Sequence, residues 1–341
     1  MKFAFMADIH LSKYAQDKLE DESNLPERLH SIKMALHEVA EYCIGHDIPT
    51  IIIGGDILHG KSIIHAIAQD IMLEYFQTFG KKISFVVIDG NHDLSGKGED
   101  VVSALRSLST VPGVSWVPHN RVERTKEDIL LVPYSHSVSK IVKENKARIL
   151  ISHFGLTEAM LSSGMSIVSD ISVSDLVGKY ELVLLGHYHK PQEIIKENFR
   201  LYYSGSLIQL DWGEKGEIKR FLVVDTDSMQ VDEIPITHYR KHIEIELTDL
   251  NKDEAFKAAK EATDAGHHVK VLMKEKVDLS RVKGNFNIVD KTETDITDRG
   301  ITSSMSQKDR IDRYIEIKEI PEHLRDEYSK EALDIIENCE V

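Results

Sequence analysis

The sequence predicts an α/β protein: a layered core of β-sheets flanked by helices, followed by a smaller α+β region. Three observations predict it. Between Lys2 and Ile88, short apolar runs alternate with amphipathic helical patterns, a β-α-β-α-β series. Each run stops at Gly, Asp, Asn or His, at the sheet edge where α/β proteins bind ligands. After Thr237 the pattern changes to separated strands and a helix.

A chain of 341 residues, 41% of them hydrophobic, can bury a substantial core. Its net charge of -15 argues against a simple basic nucleic-acid binder. It leaves room for a local basic surface, or for cations that neutralise carboxylates. Cys43 and Cys339 are far apart, and no apolar run approaches the roughly 18 residues of a membrane span. The start carries no signal-peptide pattern, so a soluble protein of the reducing cytosol, with no membrane contact, is expected.

Lys2 to Met6 is the first predicted strand, and Asp8 and His10 follow it. Lying two apart, they point to one side if the extended conformation persists. Ser12 to Glu27 is polar and is expected to be a mobile loop at the mouth of the site. Pro26 opens a helix to about His46, with Leu29, Ile32, Leu36, Val39 and Cys43 on its apolar face. The strand Thr50 to Ile53 ends in Gly54, Gly55, Asp56, Ile57, Leu58 and His59. Asp56 suits bridging of two cations, one carboxylate oxygen for each, and His59 is placed to contact substrate rather than metal.

A helix from about Ile63 to Phe79 leads to the strand Ile83 to Ile88, which delivers Asp89, Gly90, Asn91, His92 and Asp93. Asn91 offers a neutral oxygen to a metal, His92 a titratable imidazole, and Asp93 an acceptor to orient that imidazole. Beyond them the sequence predicts a loop with Gly96 and Gly98, a helix near Asp100 to Leu108, and strands Val114 to Val117 and Ile129 to Val132. The strand Arg148 to Ser152 delivers His153. Another, Leu182 to Leu185, delivers Gly186, His187 and His189, two imidazoles expected to face one point.

Carboxylates, one Asn and several His, without a thiolate, favour Mn²⁺, Fe or Zn. The expected grouping is Asp8, His10, Asp56 and His189 about one ion, and Asp56, Asn91, His153 and His187 about the other. Two cations roughly 3.5 to 4 Å apart clamp a phosphate and activate water at neutral pH, the chemistry of phosphoester hydrolysis. His92 is then a non-ligand, placed to stabilise the transition state or protonate the leaving oxygen, with Asp93 holding its tautomer.

D-x-H, G-D, G-N-H-D, a lone His and G-H-x-H, in this order, resemble the calcineurin-like metallophosphoesterase superfamily over residues 1 to 235. The run Tyr203 to Ser206, then Trp212, Glu214 and Lys219, together with His187 to Gln192, resembles the SbcD-type nuclease subunit of double-strand-break repair, and the chain's length is nearer to phage recombination endonuclease subunits than to longer cellular forms. Two departures separate the chain from serine/threonine protein phosphatases. No arginine follows Asp56-Ile57-Leu58-His59 as it follows their bridging Asp, and Asp93 stands where they have Glu.

The resemblance implies a metallophosphoesterase fold and a DNA nuclease using two Mn²⁺, with Mg²⁺, Fe²⁺ or Zn²⁺ as other candidates. It would act as an exonuclease on duplex ends and an endonuclease on single strands, in DNA repair, recombination and replication. Its implied partners are DNA, an SbcC-type SMC-like ATPase and a second copy of itself, in a bacterial or phage-infected cytoplasm. His92 carries over as the catalytic histidine, with Asp93 beside it, and His59 as the residue that seats the scissile strand. A small-molecule phosphodiesterase or phosphatase is the alternative.

On this reading residues 1–237 are the nuclease domain, closed by a hairpin of Phe221 to Asp225 and Gln230 to Ile236. Residues 238–320 form an α+β cap that either holds DNA or only supports the core. Its expected elements are strands Lys241 to Leu247, His268 to Met273, Phe286 to Val289 and Tyr314 to Ile317, and a helix Asp253 to Ala265. Lys291 to Arg310 lacks periodicity and is expected to be mobile. Residues 321–341 are a C-terminal helix, with eight acidic against two basic residues from Glu319 onward. Such a helix is a poor DNA contact, and docks on the cap or on a partner chain.

Overall fold

Apolar strands buried on both faces set the architecture of the first of two units. The computed structural model describes residues 1–13, 19, 25–60, 63–96, 100–273, 287–290, 306–318 and 320–338. Its contacts divide the chain into Met1–Glu244 with Glu261–Val269, and Ile245–Lys260 with Lys270–Val341.

In the first unit, β1 (Lys2–Met6), α1 (Glu27–Gly45), β2 (Thr50–Ile53), α2 (Ala66–Phe79) and β3 (Ser84–Ile88) realise the expected series. The short pair β4 (Leu94–Ser95) and β5 (Val102–Ser103) follows, then β6 (Val114–Val117), β7 (Glu123–Arg124), β8 (Ile129–Val132) and α3 (Val138–Glu144). Next come β9 (Ile149–His153), α4 (Val173–Leu176), β10 (Leu182–Gly186), β11 (Gln192–Lys196) and β12 (Phe199–Tyr203). The hairpin of β13 (Arg220–Asp225) and β14 (Gln230–Pro235) ends the series.

These strands make two six-stranded sheets, β14-β13-β1-β2-β3-β6 and β11-β12-β10-β9-β8-β7. The central strands of both are parallel, with Ala4 opposite Ile51 in one and Leu182 opposite Ile149 in the other. Alternation along each strand sorts the core into layers. Ala4, Met6, Ile51, Ile53, Phe85 and Val87 pack with α1 and α2, whereas Phe3, Phe5, Ile52 and Ile88 meet Ile149, Ile151, Leu182 and Leu184 of the other sheet. Leu150, Val183 and Leu185 turn outward to Val138, Val142, Val173 and Leu176 of α3 and α4. The order is therefore helix, sheet, sheet, helix, which is why the strands read as unbroken apolar runs.

The predicted helix Asp100 to Leu108 is corrected. Leu94 pairs with Ser103, and Ser103 caps a 3₁₀ helix over Ala104–Thr110 by accepting from the Leu105 N–H. A serine that bonds its own chain two residues on competes with a regular α-helix at that point.

β15 (His242–Leu247), α5 (Lys252–Asp264) and β16 (His268–Met273) fall partly in each unit, and β17 (Asn287–Asp290), α6 (Gln307–Ile317) and α7 (Glu322–Asn338) belong to the second. β15, β16 and β17 form a three-stranded sheet. The predicted strand Tyr314 to Ile317 is instead the end of α6. Ser306 caps that helix, accepting from the Asp309 N–H at 3.1 Å. Ile315 is buried while Tyr314 and Ile317 are exposed, so the alternation of four residues was too short a window to tell period 2 from period 3.6. α7 packs on α6, with the Ser329 hydroxyl donating to Asp312 at 2.5 Å. Most of the Ser12 to Glu27 loop, Gly98, residues 291–305 of the aperiodic stretch, and Cys339 lie outside the described residues.

Candidate metal centre

Five strand ends deliver the candidate residues to one place. Asp8 and His10 follow β1, Asp56 follows β2, Asn91 and His92 follow β3, His153 ends β9, and His187 and His189 follow β10. All lie in the first unit, and Asp8, His10, Asp56, Asn91 and His153 are buried.

The backbone at these ends is not extended. Asp8 (φ 54°), His10 (φ 52°) and Asp56 (φ 54°) are left-handed, and His187 has φ 102°. Such conformations in non-glycine residues persist only where surrounding bonds impose them. Here the Asp8 N–H donates to the Gly55 carbonyl at 3.1 Å and the His10 N–H to the Asp56 carbonyl at 3.0 Å. The expectation that Asp8 and His10 converge through an extended strand is thus corrected: they converge because two turns are stitched together. His187 and His189 likewise do not face one point, and each turns to a different half of the cluster.

In the first half, His10 Nε2 lies 3.9 Å from Asp8 Oδ1, 3.6 Å from Asp56 Oδ2 and 2.9 Å from His189 Nε2. In the second, His153 Nε2 lies 3.3 Å from Asp56 Oδ2 and 2.9 Å from Asn91 Oδ1, which is 3.1 Å from His187 Nδ1. These are the two groups expected from the sequence, joined at Asp56. The bridge differs in one respect. Oδ2 alone faces both halves, because Oδ1 accepts the His92 N–H at 2.8 Å.

The outer contacts set the ring tautomers. His153 Nδ1 lies 2.8 Å from the Gly54 carbonyl and His189 Nδ1 lies 3.0 Å from Glu214 Oε1, acceptors that place the proton on Nδ1 in both rings. Each Nε2 then points a lone pair inward, toward Asn91 Oδ1 in one case and His10 Nε2 in the other. Acceptors facing acceptors at hydrogen-bond distance suit a cation between them. The Asp56 carboxylate draws positive charge to the same point, whether a cation or a second proton on His153. Burial opposes charge on both partners, yet the Asp56 carboxylate pushes His153 up to about 9, and His153 and His10 hold the Asp56 carboxyl well below the usual carboxylate range. Oxygen and imidazole donors without thiolate fit a divalent ion of the Mn²⁺, Fe²⁺ or Zn²⁺ kind.

His92 and His59 sit at the rim. Their rings stack at 4.9 Å, and His59 Nδ1 approaches His10 Nδ1 at 3.0 Å. The expectation that Asp93 orients His92 is corrected, since His92 Nδ1 meets the His59 carbonyl at 2.9 Å. Asp93 turns away and accepts the N–H groups of Asp56 (2.7 Å), Gly90 (2.9 Å) and Leu58 (3.0 Å). It therefore fixes the two turns that carry Asp56 and Asn91.

Sequence reasoning gave Glu214 no role, although it supports the centre directly. Besides His189 it accepts from Ser206, from the Leu210 N–H and from the fully buried ammonium of Lys219 at 2.7 Å. Glu214 and Lys219, two buried charges five residues apart, were the available signal. Asp89 was also missed; it accepts from Ser103, the Trp116 indole and the His119 N–H, which fixes the start of the Asn91 turn.

Among known proteins, a family profile described as calcineurin-like phosphoesterase matches residues 1–191. An uncharacterized protein of Acanthamoeba polyphaga mimivirus is 26% identical over 181 residues, covering 48% of this chain and 13% of that protein. The chain thus spans a small part of that relative. Among solved structures, an archaeal phosphodiesterase shares 13% identity at a TM-score of 0.39, covering 69% of this chain and 99% of its own. A hypothetical protein of Pyrococcus horikoshii shares 14% identity at a TM-score of 0.38, covering 78% and 98%. Among the described residues no helix is long and apolar enough to cross a membrane.

Proposed function

The chain belongs to the calcineurin-like phosphoesterase family of metal-dependent phosphoesterases, and from that premise we propose that it is a DNA nuclease of the SbcD type. Asp8, His10, Asp56 and His189 would hold one Mn²⁺, and Asp56, Asn91, His153 and His187 the other. The observation that carries this reading is the single oxygen, Asp56 Oδ2, that faces an imidazole of each half at 3.6 and 3.3 Å. Bound there, the ions supply Lewis acidity toward a phosphate diester and activation of water.

The chain's own residues do the rest. Glu214 and the Gly54 carbonyl keep His189 and His153 turned with Nε2 inward. The His59 carbonyl holds the Nδ1 proton of His92, so Nε2 is the nitrogen that, in the imidazolium form, would pass a proton to the leaving oxygen and be left neutral. The His59 ring, stacked on His92, is placed to seat the scissile strand. Residues 238–320 would hold DNA, and an SMC-like ATPase and a second copy of the chain are the proposed partners. The run Tyr203 to Ser206 with Trp212, Glu214 and Lys219 favours this branch over small-molecule phosphoesterases.

End-labelled duplex DNA incubated with Mn²⁺, with and without the ATPase and ATP, tests the proposal. Wild-type protein is expected to degrade the ends. His92→Ala is expected to lose about 10² to 10⁴-fold in rate while calorimetry still shows Mn²⁺ binding. No cleavage under any of these conditions, with turnover of cyclic nucleotides or phosphomonoesters instead, sinks the nuclease reading.

A further inference from the structure

Lys219 brings a positive charge beside a centre built to hold cations, and it does so with its side chain fully buried. A buried ammonium is costly unless close partners offset the loss of water. Its partners are Glu214 Oε2 at 2.7 Å, Glu217 Oε2 at 2.7 Å and the His189 carbonyl at 2.9 Å. An ammonium has three protons, so these three acceptors use all of them and none is left for a substrate. The main chain from which it extends is fixed as well. Lys219 stands just before β13, and its carbonyl accepts the Ile236 N–H at 2.8 Å, beyond the end of β14.

The two halves of the centre differ in how their rings are held. His153 is fully buried, and its Nδ1 rests on the neutral Gly54 carbonyl at 2.8 Å. The His189 side chain is 30% exposed, and its Nδ1 meets the Glu214 carboxylate at 3.0 Å. Packing on all sides confines the first ring, whereas the second has an open side. There a charge-assisted bond, roughly twice as strong as a neutral one, takes the place of packing. Lys219 grips His189 twice, directly at the main-chain carbonyl and through Glu214 at the ring. None of its three acceptors belongs to Asn91, His153 or His187. With two carboxylates against one ammonium, the cluster stays net negative beside the cation site.

We infer that Lys219 is a positioning residue for one ion of the pair. Its ammonium sets how tightly the half made by Asp8, His10 and His189 holds a cation, and leaves the half made by Asn91, His153 and His187 unaffected. It touches neither ion nor substrate. The inference rests on the two-ion centre of the proposed function, and is independent of whether the substrate is DNA.

The test titrates Mn²⁺ into the full chain by calorimetry, while electron paramagnetic resonance reads whether the bound ions are isolated or magnetically coupled. Wild-type protein is expected to take up two equivalents and to end as a coupled pair. Lys219→Met keeps the apolar stem and removes the charge. It is expected to bind one equivalent as wild type does and the other about 10 to 100-fold more weakly, so that the isolated-ion signal dominates where wild type shows the pair. Charge alone predicts the opposite sign, because removing a nearby cation favours Mn²⁺. Thermal unfolding in EDTA checks the fold. If Lys219→Met does not fold, the double variant Lys219→Met with Glu217→Gln, which removes one buried charge of each sign, takes its place with the same expected loss. Both equivalents weakened alike, neither weakened, or either one tightened would overturn the inference. Wild-type protein that takes up fewer than two equivalents would overturn the two-ion centre and the tether with it, a failure visible before any variant is made. DNA left uncut by wild type carrying the coupled pair would sink only the nuclease reading.

Discussion

Glu214 shows how much of a metal centre lies outside its ligands. Its carboxylate is nearly fully buried, and against that burial the hydrogen bond from His189 and the charge of Lys219 hold its pKa at about 2. It is therefore an acceptor at any working pH, and it keeps His189 Nε2 pointed inward. In Glu214→Gln the amide can present an N–H to His189 Nδ1, and Lys219 keeps Glu217 as its remaining carboxylate, at 2.7 Å. The expected result is an affinity for Mn²⁺ lower by about 10 to 100-fold, with the melting temperature in EDTA changed far less. Calorimetry on the variant checks it, and unchanged affinity would assign Glu214 to packing alone. The sequence showed the candidate ligands because Asp, Asn and His at strand ends are local features. It did not show that Asp93 serves the Asp56 and Leu58 amides, because those bonds span 37 and 35 residues.

At the scale of elements, the centre depends on how closely two strand-end turns approach. Gly90 lies against Asp56, and a Cβ added there would collide with the Asp56 backbone N and with Oδ1. Gly55, with φ 95°, would in turn crowd Gly90 and the His153 ring. The glycines of G-D and D-G-N-H-D are thus two sides of one contact. Gly90→Ala must push the bridging carboxylate out of place, an overpacking cost of about 1 to 3 kcal/mol. The variant should melt several degrees lower and bind Mn²⁺ more weakly, measured by thermal unfolding with and without metal. If metal raises the melting temperature of the variant as much as that of wild type, the close approach is not what sets the site. Strand and helix order was legible here because both strand faces are buried, giving long apolar runs. The end of α6 was not, because four residues of alternation carry less information than a cap at Ser306.

For the whole molecule, a net charge of -15 must be reconciled with the polyanionic substrate proposed for it. A broad basic face would give steep salt dependence, since each phosphate neutralised by protein releases counterions. The positive charge that divalent ions would bring to the Asp8 and Asp56 carboxylates is the other way to hold a nucleic acid, and EDTA removes it. Oligonucleotide affinity is then expected to fall sharply in EDTA, and two phosphate contacts on a single strand predict that log affinity falls against log salt with a slope of about -1.4. Titration of a labelled oligonucleotide across a series of salt concentrations, with and without EDTA, measures both. A slope steeper than about -4 in EDTA would mean that about six phosphates are met by side chains of the protein, so that a basic face rather than the metal centre holds the strand.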